Sequence, residues 1–132
     1  MRFRSLILGS IATIVILLSA QLAYVLIASY IGQAASNSTL IGEHKDLMWF
    51  FLSICSYALS FFLGGFITSL TESGAPVLNA VTVGFIVAML SMLSVGDLSV
   101  LNTRALIMVF FGVAFAFLGG VWGAGVFARK LV

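Results

Sequence analysis

At 132 residues, with 62% hydrophobic and 8% charged side chains, the chain cannot clothe a water-facing surface, which takes about 25% charged residues. A net charge of +2 offers no basic patch for nucleic acid. One histidine and one cysteine, Cys55, exclude an intramolecular disulfide, paired haem ligation and a convergent zinc set of His and Cys.

The six basic and four acidic residues cut the sequence into charge-free runs at 5–42, 47–71, 73–96 and 105–128. Each run exceeds the ~20 residues that span a bilayer. The predicted fold is all-α: a polytopic integral membrane protein with four transmembrane helices in one antiparallel bundle, a single domain over 1–132 whose partner is the lipid bilayer itself.

The chain starts Met1-Arg2-Phe3-Arg4 and turns apolar, as a signal peptide does. A cleavage site after Ala20 would put Leu18 where a small residue is wanted, and the apolar run continues through Ala28. The reading is a retained first helix over 5–31. At about 1.5 Å per residue it reaches about 40 Å, longer than the ~30 Å hydrocarbon core, so it tilts or projects. Gln21 is its only strong polar group.

Residues 32–46 form the longest polar connection. Asn37-Ser38-Thr39 fits a glycosylation sequon, and Glu43-His44-Lys45-Asp46 reads as a hydrated helix entrance with its acids at the favourable end of the helix dipole. The second helix is predicted over 47–71. Trp49 suits an interfacial belt. Ser56, Ser60, Gly64 and Thr68 recur every four residues, with Gly65 beside them, a stripe that lets another helix come close.

Thr71-Glu72-Ser73-Gly74 reads as a tight turn. Gly74 suits a helix C-terminus, and Pro76, the single proline, suits the first turn of the next helix, where its missing N–H costs nothing. The third helix is predicted over 75–95, antiparallel to and beside the second, with Ala80, Gly84 and Ala88 in a stripe. The fourth is predicted over 105–128. It carries the stripe Gly112, Ala116, Gly120, Ala124, with Gly119 and Gly123 as a GxxxG pair. Phe62-Leu63-Gly64-Gly65 recurs as Phe117-Leu118-Gly119-Gly120, a short internal repeat on two helices that run the same way.

Gly64-Gly65-Phe66-Ile67, the polar turn with Pro76, then Ala80 and Gly84 resemble a pattern in small uncharacterised four-helix bacterial inner-membrane proteins. The resemblance implies the fold and a bacterial inner-membrane location, and no activity. Members often carry a basic residue in the central turn, where this chain has Glu72. The small multidrug exporters place a glutamate within their first helix, where this chain offers Gln21. The run from Gly119 to Arg129 resembles the glycine-rich segment of the fluoride channels, but it ends the fourth helix rather than the first.

No set of residues specifies a reaction, a metal or a cofactor, so no enzymatic activity is expected. The functional reading is an accessory or assembly subunit that packs in the bilayer against another membrane protein, or against copies of itself. The rival reading is a small homo-oligomeric channel or transporter, its polar path lined by Ser53, Ser56, Ser60, Asn79 and Thr82. Four basic residues near the termini against Lys45 and Arg104 place both termini in the cytoplasm by the positive-inside rule. In a background lacking Cys55, Ser38→Cys and Asn102→Cys should react with an impermeant thiol reagent on intact cells and Ser73→Cys should not; the opposite pattern reverses the orientation.

Overall fold

The computed structural model describes residues 3–37, 43–71, 74–94 and 103–130. The expected turn residues Glu72 and Ser73, the sequon's Ser38 and Thr39, Arg2, and the connection at 95–102 lie outside them. The described residues form four helices: α1 Phe3–Asn37, α2 Lys45–Thr71, α3 Pro76–Ser94 and α4 Thr103–Lys130. Each is long and apolar enough to cross a membrane.

Local chemistry sets the helix ends. Pro76 opens α3, its fixed φ already helical. Asp46 lies in the first turn of α2, and the Met48 N–H donates to the His44 carbonyl at 3.0 Å. The largest departure from expectation is α1, which runs to Asn37 rather than stopping near 31. Gly32 alone costs a helix only about 1 kcal/mol, and Gln33, Ala34 and Ala35 are good helix formers. The 35 residues of α1 extend about 52 Å at ~1.5 Å each, so the helix overshoots the ~30 Å core. The other ends differ from expectation by one or two residues, as fraying ends do.

The helices alternate in direction and bring both ends of the described chain to one end of the bundle. Their packing is not a regular square. α2 lies against all three other helices, most extensively α4; α3 also packs on α4, and α1 lies outside on α2 and, less extensively, on α3. Phe61, Val83, Val87, Ala88 and Ala116 form the buried core, with Leu6, Ile14 and Leu17 of α1 half-buried against it. Much of the remaining interior is small or hydroxylated: Thr13, Ser60, Thr68, Ser69 and Ala80 are buried, whereas Leu22, Leu26, Phe50, Phe110 and Trp122 point outward. Lipid is as apolar as leucine, so large side chains gain little by hiding from it. Association rests instead on close contact between small residues.

That contact is made at glycines. α1 and α2 run antiparallel with Gly9 against Thr68 and Gly64 against Thr13, a reciprocal pair. Each threonine hydroxyl donates to the glycine carbonyl one turn back on its own helix, Thr13 to Gly9 and Thr68 to Gly64, both at 2.7 Å. Between the parallel helices α2 and α4, Gly65 meets the backbone of Ala116, Gly119 the backbone of Phe62, and Gly123 the Ser69 hydroxyl. Between α3 and α4, Gly84 faces Ala116 and Gly120 faces Ala80. The two glycines of each repeat therefore serve different neighbours: Gly64 faces α1 and Gly65 faces α4; Gly119 faces α2 and Gly120 faces α3.

These contacts grade the effect of adding one methyl group. Gly119→Ala and Gly65→Ala would drive a Cβ into a facing backbone, which cannot rotate away, so each should lower detergent-phase stability by about 1–3 kcal/mol, as overpacking does. At Gly32 a Cβ meets nothing within 4 Å, so Gly32→Ala should be neutral or stabilise by up to about 1 kcal/mol. Thermal unfolding in a fixed detergent checks the order; equal melting temperatures for all three variants would contradict it.

Candidate functional site

Most hydroxyls within the helices already have an acceptor on their own helix. Besides Thr13 and Thr68, Ser19 donates to Val15, Ser60 to Ser56, Thr82 to Leu78 and Ser91 to Val87, all at 2.7–2.9 Å. Ser69 and Thr71 reach the carbonyls three residues back, both at 2.8 Å. Hydrocarbon supplies no hydrogen bonds, so a hydroxyl in a span bonds to its own backbone.

Among the described residues Ser10, Ser29, Ser53 and Ser56 depart from this pattern, and the last two lie in one region. Between the Thr13–Gly64 contact and the ring contact of Tyr24 with Trp49, whose centroids are 5.4 Å apart, α1 and α2 separate and leave an open cleft of about 270 Å³. From α1 it is lined by Leu17, Ala20, Gln21 and Tyr24; Ser53, Ser56 and Tyr57 line it from α2. These positions are spaced three or four apart on each helix, the spacing of one face. Gln21 and Ser53 are exposed and Ser56 is half-buried. Among the described residues no hydrogen bond joins the side chains of Gln21, Ser53 or Ser56 to the protein. Gln21 lies near the middle of the apolar span Leu6–Ala34 and, within the bundle, about one turn from the Tyr24–Trp49 ring contact.

The floor of the cleft is fixed by Tyr57. Its ring lies 4.5 Å from that of Phe61 in the core, and its hydroxyl donates to the Met108 carbonyl of α4 at 3.0 Å. This ties the α2 wall to the fourth helix while α1 stays at the periphery.

The residues singled out from the sequence divide by place. Ser60, Gly64, Gly65, Thr68, Ala80, Gly84, Ala88, Gly112, Ala116, Gly119, Gly120 and Gly123 are buried, and Ala124 is half-buried. The polar set does not converge. Ser53 and Ser56 line the cleft, Ser60 is turned back on its own helix, and Thr82 bonds to Leu78. Asn79 is buried in the first turn of α3, its N–H bonded to the Ala75 carbonyl at 3.1 Å. It lies about 18 residues of helix, some 27 Å at ~1.5 Å per residue, from the level of Ser53. Gly9 and Thr13 escaped the sequence reading, although Gly9-x-x-x-Thr13 repeats the spacing of Gly64-x-x-x-Thr68. Among the described residues no three His, Cys, Asp or Glu side chains come together. Glu43, His44 and Asp46 are exposed at the entrance to α2, and Cys55 is exposed on its flank.

No family model matches the chain, and no curated protein or solved structure is significantly similar to it. Tyr57→Phe keeps the ring against Phe61 and leaves the Met108 carbonyl without its cross-helix donor. It should lower stability by about 1 kcal/mol, measured as a fall in detergent melting temperature, with helical content unchanged by circular dichroism. An unchanged melting temperature would remove Tyr57 as the tie between α2 and α4.

Proposed function

We propose that this membrane-spanning chain is a non-enzymatic accessory or assembly subunit, packing in the bilayer against another membrane protein along the outer face of α4. The observation that carries the reading is Gly125. Of the glycines on α4, Gly112, Gly119, Gly120 and Gly123 each admit a close neighbour from α2 or α3, whereas a Cβ at Gly125 meets nothing within 4 Å. A glycine inside a helix costs about 1 kcal/mol relative to alanine, and no contact among the described residues offsets that cost here. Gly125 is exposed beside Val121 and Trp122, the latter 65% exposed. A partner helix seated there would gain the close approach that the other four glycines give internally.

The small-residue stripes support this reading less than their number suggests, because the four helices use them on one another. A channel or transporter has weaker support still, since the polar side chains lie in separate places and most of the described helix hydroxyls are bonded to their own backbone. The proposed setting is a bacterial inner membrane with both termini cytoplasmic.

Gentle extraction of a tagged chain, followed by affinity purification and mass measurement, tests the role. A heterologous membrane chain should co-purify in stoichiometric amount, and Gly125→Leu should abolish that association while leaving the melting temperature of the isolated chain unchanged. A clean homodimer that passes ions or solutes in liposomes would overturn the proposal in favour of the transporter.

A further inference from the structure

We propose that the end of the bundle where α1 starts and α4 stops docks onto anionic phospholipid headgroups through Arg4, Arg129 and Lys130. The close helix contacts put these cations in one layer, although they come from opposite ends of the sequence. Gly9 of α1 lies against Thr68 of α2, and Gly123 of α4 lies against Ser69. Arg4 is five residues from Gly9, and Arg129 and Lys130 are six and seven from Gly123. At ~1.5 Å per residue the three share one level to within about 3 Å. α2 ends at Thr71, only three residues past Thr68, and α3 begins at Pro76, only four past the contact of Ala80 with Gly120. α1 and α4 therefore stand proud of α2 and α3 and carry the cations outermost. The inference is independent of the subunit reading, which concerns the lateral face of α4 rather than the end of the bundle.

The layer lacks an internal counter-charge. All three cations are exposed, and among the described residues none of them makes an ion pair. The described carboxylates, Glu43 and Asp46, stand at the entrance to α2, the opposite end of the bundle. In the sequence alone, Arg2 adds a fourth base next to Arg4, and Glu72 adds one acid between α2 and α3. Helix electrostatics accounts for only part of the set. Arg129 and Lys130 fall in the last turn of α4, where the dipole favours a cation. Arg4 falls in the first turn of α1, where the dipole disfavours a cation and no acidic residue offsets it. Arg4 thus works against its own helix and has no described partner, so an anion outside the chain is what would compensate it.

The level of the layer selects a lipid surface as that anion. The apolar spans begin at Leu6 in α1 and stop at Lys130 in α4, so the cations lie where hydrocarbon gives way to headgroups. Arginine and lysine stems lie along apolar surface while their charged heads reach outward. Phospholipid phosphates occupy that depth on every side of the bundle. A zwitterionic headgroup already pairs its phosphate with its own ammonium group. A headgroup of net negative charge does not, and it is the one that gains from a cationic layer.

The test uses the full chain in phosphatidylcholine bilayers. Traces of spin-labelled phosphatidylglycerol and of spin-labelled phosphatidylcholine with the same acyl chains are added in separate arms. The motionally restricted fraction of the electron paramagnetic resonance spectrum reports association with the protein. At low salt phosphatidylglycerol should associate about fivefold more strongly, the equivalent of about 1 kcal/mol for one basic residue at the surface. In about 1 M salt, where the screening length falls to about 3 Å, the preference should largely vanish. Arg4→Gln/Arg129→Gln/Lys130→Gln should abolish it, whereas the charge-preserving Arg4→Lys/Arg129→Lys should keep it. Lys45→Gln/Arg104→Gln, at the opposite end, should also keep it. Equal association of the two lipids with the native chain would overturn the proposal. So would a preference that survives 1 M salt or the triple substitution, or one that Lys45→Gln/Arg104→Gln removes as fully. The salt arm needs no variant and decides the matter even where the triple substitution impairs folding.

Discussion

The structure depends on how closely two helix backbones approach in a solvent that gives no reward for hiding leucine. In water, burial of large apolar side chains would dominate assembly. Here most of those side chains face outward, and around Phe61, Val83 and Val87 the interior is built largely from glycine, alanine, serine and threonine. At Gly65 and Gly119 the neighbouring backbone lies where a side chain would begin, so the dispersion contact is between main chains. The reciprocal Gly9/Thr68 and Thr13/Gly64 contacts are the same device with a methyl and a hydroxyl on one side. Each hydroxyl donates back to a carbonyl of its own helix, so the threonine packs its oxygen and methyl group against the glycine and buries no unsatisfied proton.

That constraint also explains the architecture. α2 carries glycines on two adjacent faces, Gly64 toward α1 and Gly65 toward α4, and α4 does the same with Gly119 toward α2 and Gly120 toward α3. A pair of neighbouring glycines lets one helix contact two partners about 100° apart, which is the turn angle per residue. The outcome is a triangle of α2, α3 and α4 with α1 on its outside, rather than a square. Because α1 is held tightly only near its start, and by an aromatic contact near Trp49, the two helices part between those points. The cleft follows from the placement of the close contacts.

The four spans and the position of the central turn were legible because charges and the single proline mark the boundaries. The stripe spacing pointed to the buried faces of α2, α3 and α4, because a residue that must be small recurs once per turn. Which stripe faced which helix was not legible: periodicity gives a face and not its partner, and the two glycines of each repeat look alike although they serve different neighbours. The extension of α1 to Asn37 was missed because Gly32 and the polar residues after it read as a loop, while their combined cost to a helix is small. The cleft was half legible. Gln21 stood out as the one strong polar group in its helix, and Ser53 and Ser56 as polar groups in the next, but their convergence depends on the register fixed by Gly9 and Thr13. Asn79 and Thr82, grouped with them on polarity alone, lie elsewhere.

The functional reading follows from the same physics. A membrane helix that keeps a glycine where no described neighbour uses it departs from what the fold requires of itself. The fold that presents this face depends on close helix contacts, of which the one that sets the register between α1 and α2 is an example. A double-mutant cycle on Gly64 and Thr13 tests that contact directly. Gly64→Ala alone should destabilise the chain in detergent by about 1–3 kcal/mol by overpacking against Thr13. In the Thr13→Gly background, where the obstructing side chain is gone, the same substitution should cost almost nothing, giving a coupling energy of about 1 kcal/mol or more. Additive effects would mean that Gly64 and Thr13 do not touch and that the account of how these helices are held is wrong.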